Sequence, residues 1–118
     1  MISLLRKIKW FIQRGKRGWA DCDAWDFNTY VAGIIKEGTE YLLEHQHGYP
    51  SGLTDERWRE ILKEIVWAFD YLNNEDEIWW KNLRCFGSEY ADEYRKKQRK
   101  RARKGLVYFV KYFQYLWD

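Results

Sequence analysis

Apolar residues recur three or four positions apart along most of this chain, the spacing that places side chains on one face of an α-helix. No stretch alternates strictly between apolar and polar residues, and no Asn-Gly or Asp-Gly pair marks a hairpin. The pattern predicts an all-α fold, a single compact domain of four or five helices with a long C-terminal helix.

Glycines separate the first two predicted helices. Residues 2–13 form a short amphipathic helix that Gly15 and Gly18 end, and residues 26–46 form the second helix. The apolar face of the second helix comprises Phe27, Val31, Ile34, Tyr41, Leu42 and His45. Gly38 lies between residues of this face, and glycine costs about 1 kcal/mol relative to alanine inside a helix. We therefore expect another helix to approach closely at Gly38.

The rest of the chain predicts a loop and further helices. Residues 47–53 hold the only proline and two glycines, and Thr54 then caps a third helix. The apolar face of that helix is the most regular in the chain and comprises Trp58, Ile61, Leu62, Ile65, Phe69 and Leu72. Asn73 and Asn74 predict a break, followed by a less regular segment and by a last helix from Ser88 to the C-terminus.

Composition narrows the class of protein. The chain of 118 residues contains 8 Trp, 9 Tyr and 6 Phe, a content that excludes intrinsic disorder. No apolar run approaches the roughly 18 residues that cross a bilayer, and residues 1–10 lack the apolar core of a secretory signal. We therefore expect a cytoplasmic protein without a membrane partner.

The net charge of +3 conceals a separation of charge along the chain. Residues 1–20 carry +6, residues 21–93 carry −11 and residues 94–118 carry +8. Anionic ligands are drawn to the two basic segments. The run 95–104 holds eight bases, so some of them must face either the acidic middle of the chain or a polyanion. The candidate phosphate contacts in this run are Arg99, Arg101, Arg103 and Lys104, and Tyr94, Tyr108 and Tyr112 are candidates to stack on bases.

Two other groups of residues are candidates for chemistry. The first is the acidic and aromatic cluster of Trp19, Asp21, Asp23 and Trp25, which is either a ligand site or a capped turn whose indoles pack on the bundle. Its spacing lacks the glycine and glutamate of an EF-hand loop, so we predict no metal site there. The second is the loop with His47 and Tyr49, where no third histidine or cysteine completes a zinc site.

Three motifs of the chain are Trp19-Ala-Asp21-Cys-Asp23-Ala-Trp25, His47-Gly-Tyr49-Pro50 and Leu116-Trp117-Asp118. In combination they resemble a family of small uncharacterised bacteriophage proteins. The resemblance covers residues 19–118, and residues 1–18 form a basic helix and turn ahead of this family-like core.

The resemblance implies a phage accessory protein in the cytoplasm of the infected bacterial host. No nucleophile elbow, phosphate-binding glycine loop or zinc-protease motif occurs, so we predict a binding protein, not an enzyme, that needs no cofactor. We expect it to sequester a small anionic nucleotide-type immune signal, as a monomer or a homo-oligomer. The alternatives are nucleic-acid binding through the basic C-terminal helix, and blocking of a host protein through Trp79, Trp80 and Trp117.

Overall fold

The computed structural model describes residues 3–117. Its four α-helices are α1 Leu4–Arg17, α2 Phe27–His45, α3 Asp55–Phe86 and α4 Ser88–Lys111. Short 3₁₀ helices cover Asp21–Asp26 and Phe113–Tyr115. The predicted all-α fold with a long C-terminal helix is confirmed, and the described residues include no strand. None of the helices in 3–117 combines the length and apolar content needed to cross a membrane.

The described chain divides into two compact units, residues 3–31 and residues 32–117. A single domain over the whole chain therefore stays a prediction. In the first unit, α1 begins at Ser3, whose hydroxyl accepts a hydrogen bond from the Arg6 N–H at 3.2 Å. It ends at Gly18, whose φ of 85° is left-handed and whose N–H donates to the Arg14 carbonyl at 2.9 Å. The predicted end at Gly15 is wrong, because a lone glycine weakens a helix without breaking it.

The second unit packs one face of α2 on α3, but not the face that the sequence predicted. Ile34 and Tyr41 are exposed, whereas Ala32 and Thr39 are buried. Ile35 and Leu43 pack against the core cluster that contains Ala32. Phe27, a predicted member of this face that lies in the first unit, is also exposed. The buried face therefore contains small side chains, whereas the prediction had relied on large apolar ones.

α3 is one unbroken helix of 32 residues, so the predicted break at Asn73 and Asn74 is wrong. The side-chain amide of Asn74 donates to the Asp70 backbone carbonyl of the preceding turn at 2.9 Å. This bond satisfies the amide within the helix, so Asn74 need not end it. Gly87 then reverses the chain with φ 91° and ψ 171°, a region open to glycine alone. α4 runs back along α3 and ends at Lys111 rather than at the C-terminus.

The predicted face of α3 forms the core of this unit. Its fully buried members are Trp58, Ile61, Leu62 and Ile65. α4 covers them with Leu106 and Phe109, and the Phe109 ring meets the Phe69 ring edge-on with centroids 5.2 Å apart. The largest side chains of the unit therefore lie between α3 and its neighbours.

The close helix approach expected at Gly38 occurs at Gly105 instead. A Cβ atom at Gly105 would lie 2.4 Å from the Ala68 Cβ and 2.6 Å from the Glu64 carbonyl oxygen, both on α3. At Gly38 a Cβ atom would meet no atom within 4 Å. Gly105 therefore lets α4 touch the backbone of α3.

Candidate functional site

The first group of predicted site residues lies in the first unit, where both carboxylates are held by α1. Arg14 donates to the two oxygens of Asp23 at 3.0 Å and 2.7 Å, and the Ala20 N–H donates to Asp23 at 2.8 Å. The bonds from Arg14, opposed by burial, lower the pKa of Asp23 to about 2. Asp23 therefore caps the 3₁₀ turn, which the sequence had offered as one reading.

Asp21, the first residue of the same 3₁₀ helix, is also held by side chains of α1. It accepts from the Gln13 amide at 2.8 Å and from Arg17 at 2.6 Å, and Lys9 lies 3.6 Å away. The Gln13 and Arg17 bonds lower its pKa. Among residues 3–117 no three His, Cys, Asp or Glu side chains gather as a metal site. The two carboxylates serve the local fold of this unit.

The two indoles of this cluster differ. The guanidinium of Arg17 lies 3.8 Å above the Trp19 ring, and the Phe27 ring meets Trp19 edge-on at 6.0 Å. Trp25 is 94% exposed, so the reading in which it packs on the bundle is wrong. Trp19 is therefore already stacked, and Trp25 is free to meet a partner.

The second group lies on the loop between α2 and α3. His47 and Tyr49 line a cavity of about 690 Å³ together with Gln46, Gly48, Pro50, Ser51, Tyr115 and Trp117. The loop is shaped by Pro50, which is buried, and by Gly52, whose φ is 88°. None of the described residues that line this cavity is a lysine or an arginine, and most of the surface it offers is aromatic. Sequence reasoning missed Tyr115 as a member of this site and placed Trp117 in a protein contact.

The third group lies on α4, and two of its arginines point to α3. Arg99 donates to both oxygens of Glu75 at 2.8 Å and 2.6 Å, and Glu75 is 8% exposed. These bonds hold the pKa of Glu75 below its usual 4.5, and burial raises the pKa of the adjoining Tyr71 to about 12. Arg101 pairs with Glu64 at 3.2 Å and lies 3.8 Å above the Trp67 ring. The acidic middle of the chain therefore neutralises these two candidates for phosphate contact.

Arg95 also faces α3, where it pairs with Asp76 at 3.4 Å. The other five bases of the run lie on the other side of α4. They are Lys96, Lys97, Lys100, Arg103 and Lys104. At 3.6 residues per turn they share an arc of about 120°. None of the five has an acidic partner among the described residues, and Lys104 lies 5.7 Å from the Tyr108 ring. We call these five residues the cationic face.

The three tyrosines that were expected to stack on nucleobases already contact other side chains of the protein. The Tyr108 hydroxyl accepts from Arg57 at 3.0 Å, and the Tyr112 ring packs on the buried Trp58 at 5.5 Å. Tyr94 stacks on Tyr90 at 6.1 Å. The cationic face therefore offers charge without free aromatic platforms beside it.

The tryptophans of the protein-contact alternative are partly committed as well. Trp79 donates to the Asp92 carboxylate at 3.0 Å. The Trp80 ring packs edge-on against the Trp79 ring, with centroids 5.2 Å apart. Trp80 and Trp117 remain exposed. No family model, curated protein or solved structure matches this chain.

Proposed function

We propose that this protein binds nucleic acid through the cationic face of α4, contacting the phosphate backbone without reading the bases. The observation that carries this proposal is the division of the basic run, in which arginines pair with acids of α3 and five other cations have no acidic partner within residues 3–117. A helix side that only kept α4 in water would not need five bases and no acid between positions 96 and 104.

The shape of the cationic face suits a polymer better than a small ligand. The five residues span about 12 Å of helix axis, and duplex DNA presents one charge per about 1.7 Å, so about seven phosphates pass alongside. The concave surfaces that flank Lys100 have about 460 Å³ and 540 Å³ and are lined by bases with Asp92 and Gln98. A convex helix side with shallow flanks fits an extended phosphate chain.

This function agrees with the bacteriophage resemblance, in which an accessory protein acts by binding in the cytoplasm of the infected host. It needs no catalytic group and no cofactor. A homo-oligomer would present several cationic faces to one nucleic acid and would raise avidity. Oligomeric state stays a prediction.

The test measures the affinity for duplex DNA by fluorescence anisotropy between about 50 and 200 mM salt. With up to five phosphate contacts, log affinity falls against log salt with a slope of up to about −4.5. The variant K96A/K100A/R103A weakens binding to all sequences alike and reduces the slope by about one for each cation removed.

The matched control is K63A/K81A/R84A, which removes three exposed bases of α3 and so changes the net charge equally. It should retain most of the affinity, because these residues lie outside the cationic face. Equal losses in both variants would show that only net charge matters and would contradict the proposal.

The second candidate function is sequestration of a nucleotide-type signal, and the observation that favours it is the aromatic cavity of the 47–53 loop. Its rings could hold a base by stacking. Cyclic nucleotides and ADP-ribose derivatives at saturation should raise the melting temperature of the native protein, and the variant Y49A or W117A should lose the rise. No shift with any member of the panel would refute this candidate.

A further inference from the structure

The helix α1 turns its apolar side chains outward. Leu4, Leu5, Ile8, Phe11 and Ile12 share an arc of about 120° on the helix. Leu5 and Phe11 are 79% and 78% exposed, and no residue of α1 is buried. A helix of a globular protein normally buries such a stripe, so an exposed one indicates a binding surface. We call these five residues the apolar arc.

The contacts within the first unit fix α1 by its polar side. Gln13, Arg14 and Arg17 hold the carboxylates of the 3₁₀ helix Asp21–Asp26 at distances between 2.6 Å and 3.0 Å. These three residues lie on the side of the helix opposite the apolar arc. The unit is therefore stabilised in an arrangement that directs the apolar arc away from its own 3₁₀ helix.

Charge decides between the possible partners of the apolar arc. Residues 3–18 hold six bases and no acid. A second copy of α1 facing the first would bring like charges together, which opposes self-association. A nucleic acid would engage the bases and leave the five apolar side chains in water.

An anionic lipid surface satisfies both features of α1. The arc can enter the boundary between headgroups and acyl chains, while basic side chains on its two flanks extend to lipid phosphates. Lys7 lies on one flank of the arc and Lys16 on the other. Each base close to an anionic bilayer adds to the attraction.

We propose that α1 is an interfacial helix that lies in the headgroup region of an anionic lipid bilayer. The expectation of no membrane partner was based on the lack of an apolar run long enough to cross a bilayer, and a helix parallel to the surface needs no such run. This binding does not depend on the cationic face of α4, so each proposal can fail alone.

The test is co-sedimentation of the full chain with vesicles of mixed phosphatidylcholine and phosphatidylglycerol. We expect binding that weakens with neutral phosphatidylcholine vesicles. The variant L5E/F11E should lower the partition coefficient by more than about tenfold, because two large apolar side chains leave the interface. The matched control is V107E/V110E, which places the same charges at exposed apolar positions of α4. It should bind as the unaltered chain does.

Circular dichroism of L5E/F11E confirms that the helices remain, since neither residue is buried. Absence of sedimentation with the mixed vesicles would overturn the proposal. Binding that survives L5E/F11E but is lost in K96A/K100A/R103A would also overturn it, because the attraction would then come from α4. If L5E/F11E instead abolishes a self-associated form in sedimentation-velocity runs without lipid, the apolar arc is a contact between copies and the proposal fails.

Discussion

The helices α1 and α4 are both rich in lysine and arginine, yet the faces that they leave uncovered differ in chemistry. α4 packs its apolar face on α3 and presents the cationic face, whereas α1 is held by its polar side and presents the apolar arc. Base content alone would assign both helices the same partner. The face that neighbouring residues leave uncovered distinguishes them, and it favours a phosphate polymer for α4 and a lipid surface for α1.

The largest expected effect tests whether α4 is packed closely on α3 while α1 has no close neighbour at Gly15. Gly105→Ala places a Cβ atom against the α3 backbone and should lower the free energy of unfolding by about 2–4 kcal/mol. Gly15→Ala in α1 meets no atom within 4 Å and should be neutral or raise helix stability by up to about 1 kcal/mol. Urea unfolding followed by circular dichroism measures both. Similar effects at the two positions would remove the contrast between the helices.

The second effect concerns the arginines that α4 turns inward. Glu75→Gln removes the buried carboxylate that accepts both Arg99 bonds, whereas the Arg99 side chain itself is more than half exposed, and it should cost about 1–2 kcal/mol in urea unfolding. Glu64→Gln is the matched control, because the Glu64 carboxylate is more exposed than that of Glu75 and its pair with Arg101 should contribute at most about 1 kcal/mol. A larger loss at Glu64 than at Glu75 would contradict this ranking.

The same pair gives a pH dependence with a definite sign. The folded pKa of Glu75 lies below the unfolded value of 4.5, so the unfolded chain takes up the proton first as pH falls. The stability from this pair is fully present above about pH 4.5 and is lost as pH falls through the folded pKa. Glu75→Gln should flatten the acid limb of the stability curve, and an unchanged acid limb would refute the assignment.

A third prediction concerns the polar side by which α1 is held. The folded pKa of Asp23 is about 2 against 3.8 for the unfolded group, so this carboxylate stays charged until pH falls well below 3.8. Arg14→Gln removes the main cause of the shift and should move the titration midpoint towards 3.8. Carbon-13 NMR of the Asp23 carboxyl group measures the midpoint. A midpoint near 3.8 in the unaltered chain would mean that Arg14 does not hold α1 there.

These differences show which parts of the fold the sequence could predict. The face of α3 was predictable because its buried members are large and aliphatic or aromatic at regular helical spacing. The face of α2 was not, since Ala32 and Thr39 are buried for their small size rather than for their hydrophobicity. The part of α3 that follows Asn74 is also held against α4, where Glu75 pairs with Arg99, 24 residues further along the chain. Local propensity contains no information about such a pairing.

The candidate sites show the same limit. His47 and Tyr49 could be singled out because they lie in the clearest loop, but their neighbour Tyr115 joins them only through the turn that follows Lys111. The division of the basic run was open in the sequence, because the register of α4 on α3 decides which bases meet Glu64 and Glu75. That register is fixed largely where Gly105 contacts α3.

The smallest expected effect separates binding from stability on the cationic face. Lys100 has bases three and four positions away on both sides, and like charges at these spacings destabilise a helix. Lys100→Gln, which keeps a similar helix propensity, should therefore raise stability by about 0.2–0.5 kcal/mol at low salt, and salt should abolish the gain. Lys63→Gln on α3 is the control and should bring no gain, since Arg59 and Glu60 both lie one turn before it and their opposite effects on Lys63 largely cancel. The same Lys100→Gln protein should bind DNA less tightly. If replacing Lys100 weakens DNA binding and stabilises the helix, this lysine serves the ligand and not the fold. If Lys100→Gln instead destabilises the protein, the cationic face serves the fold.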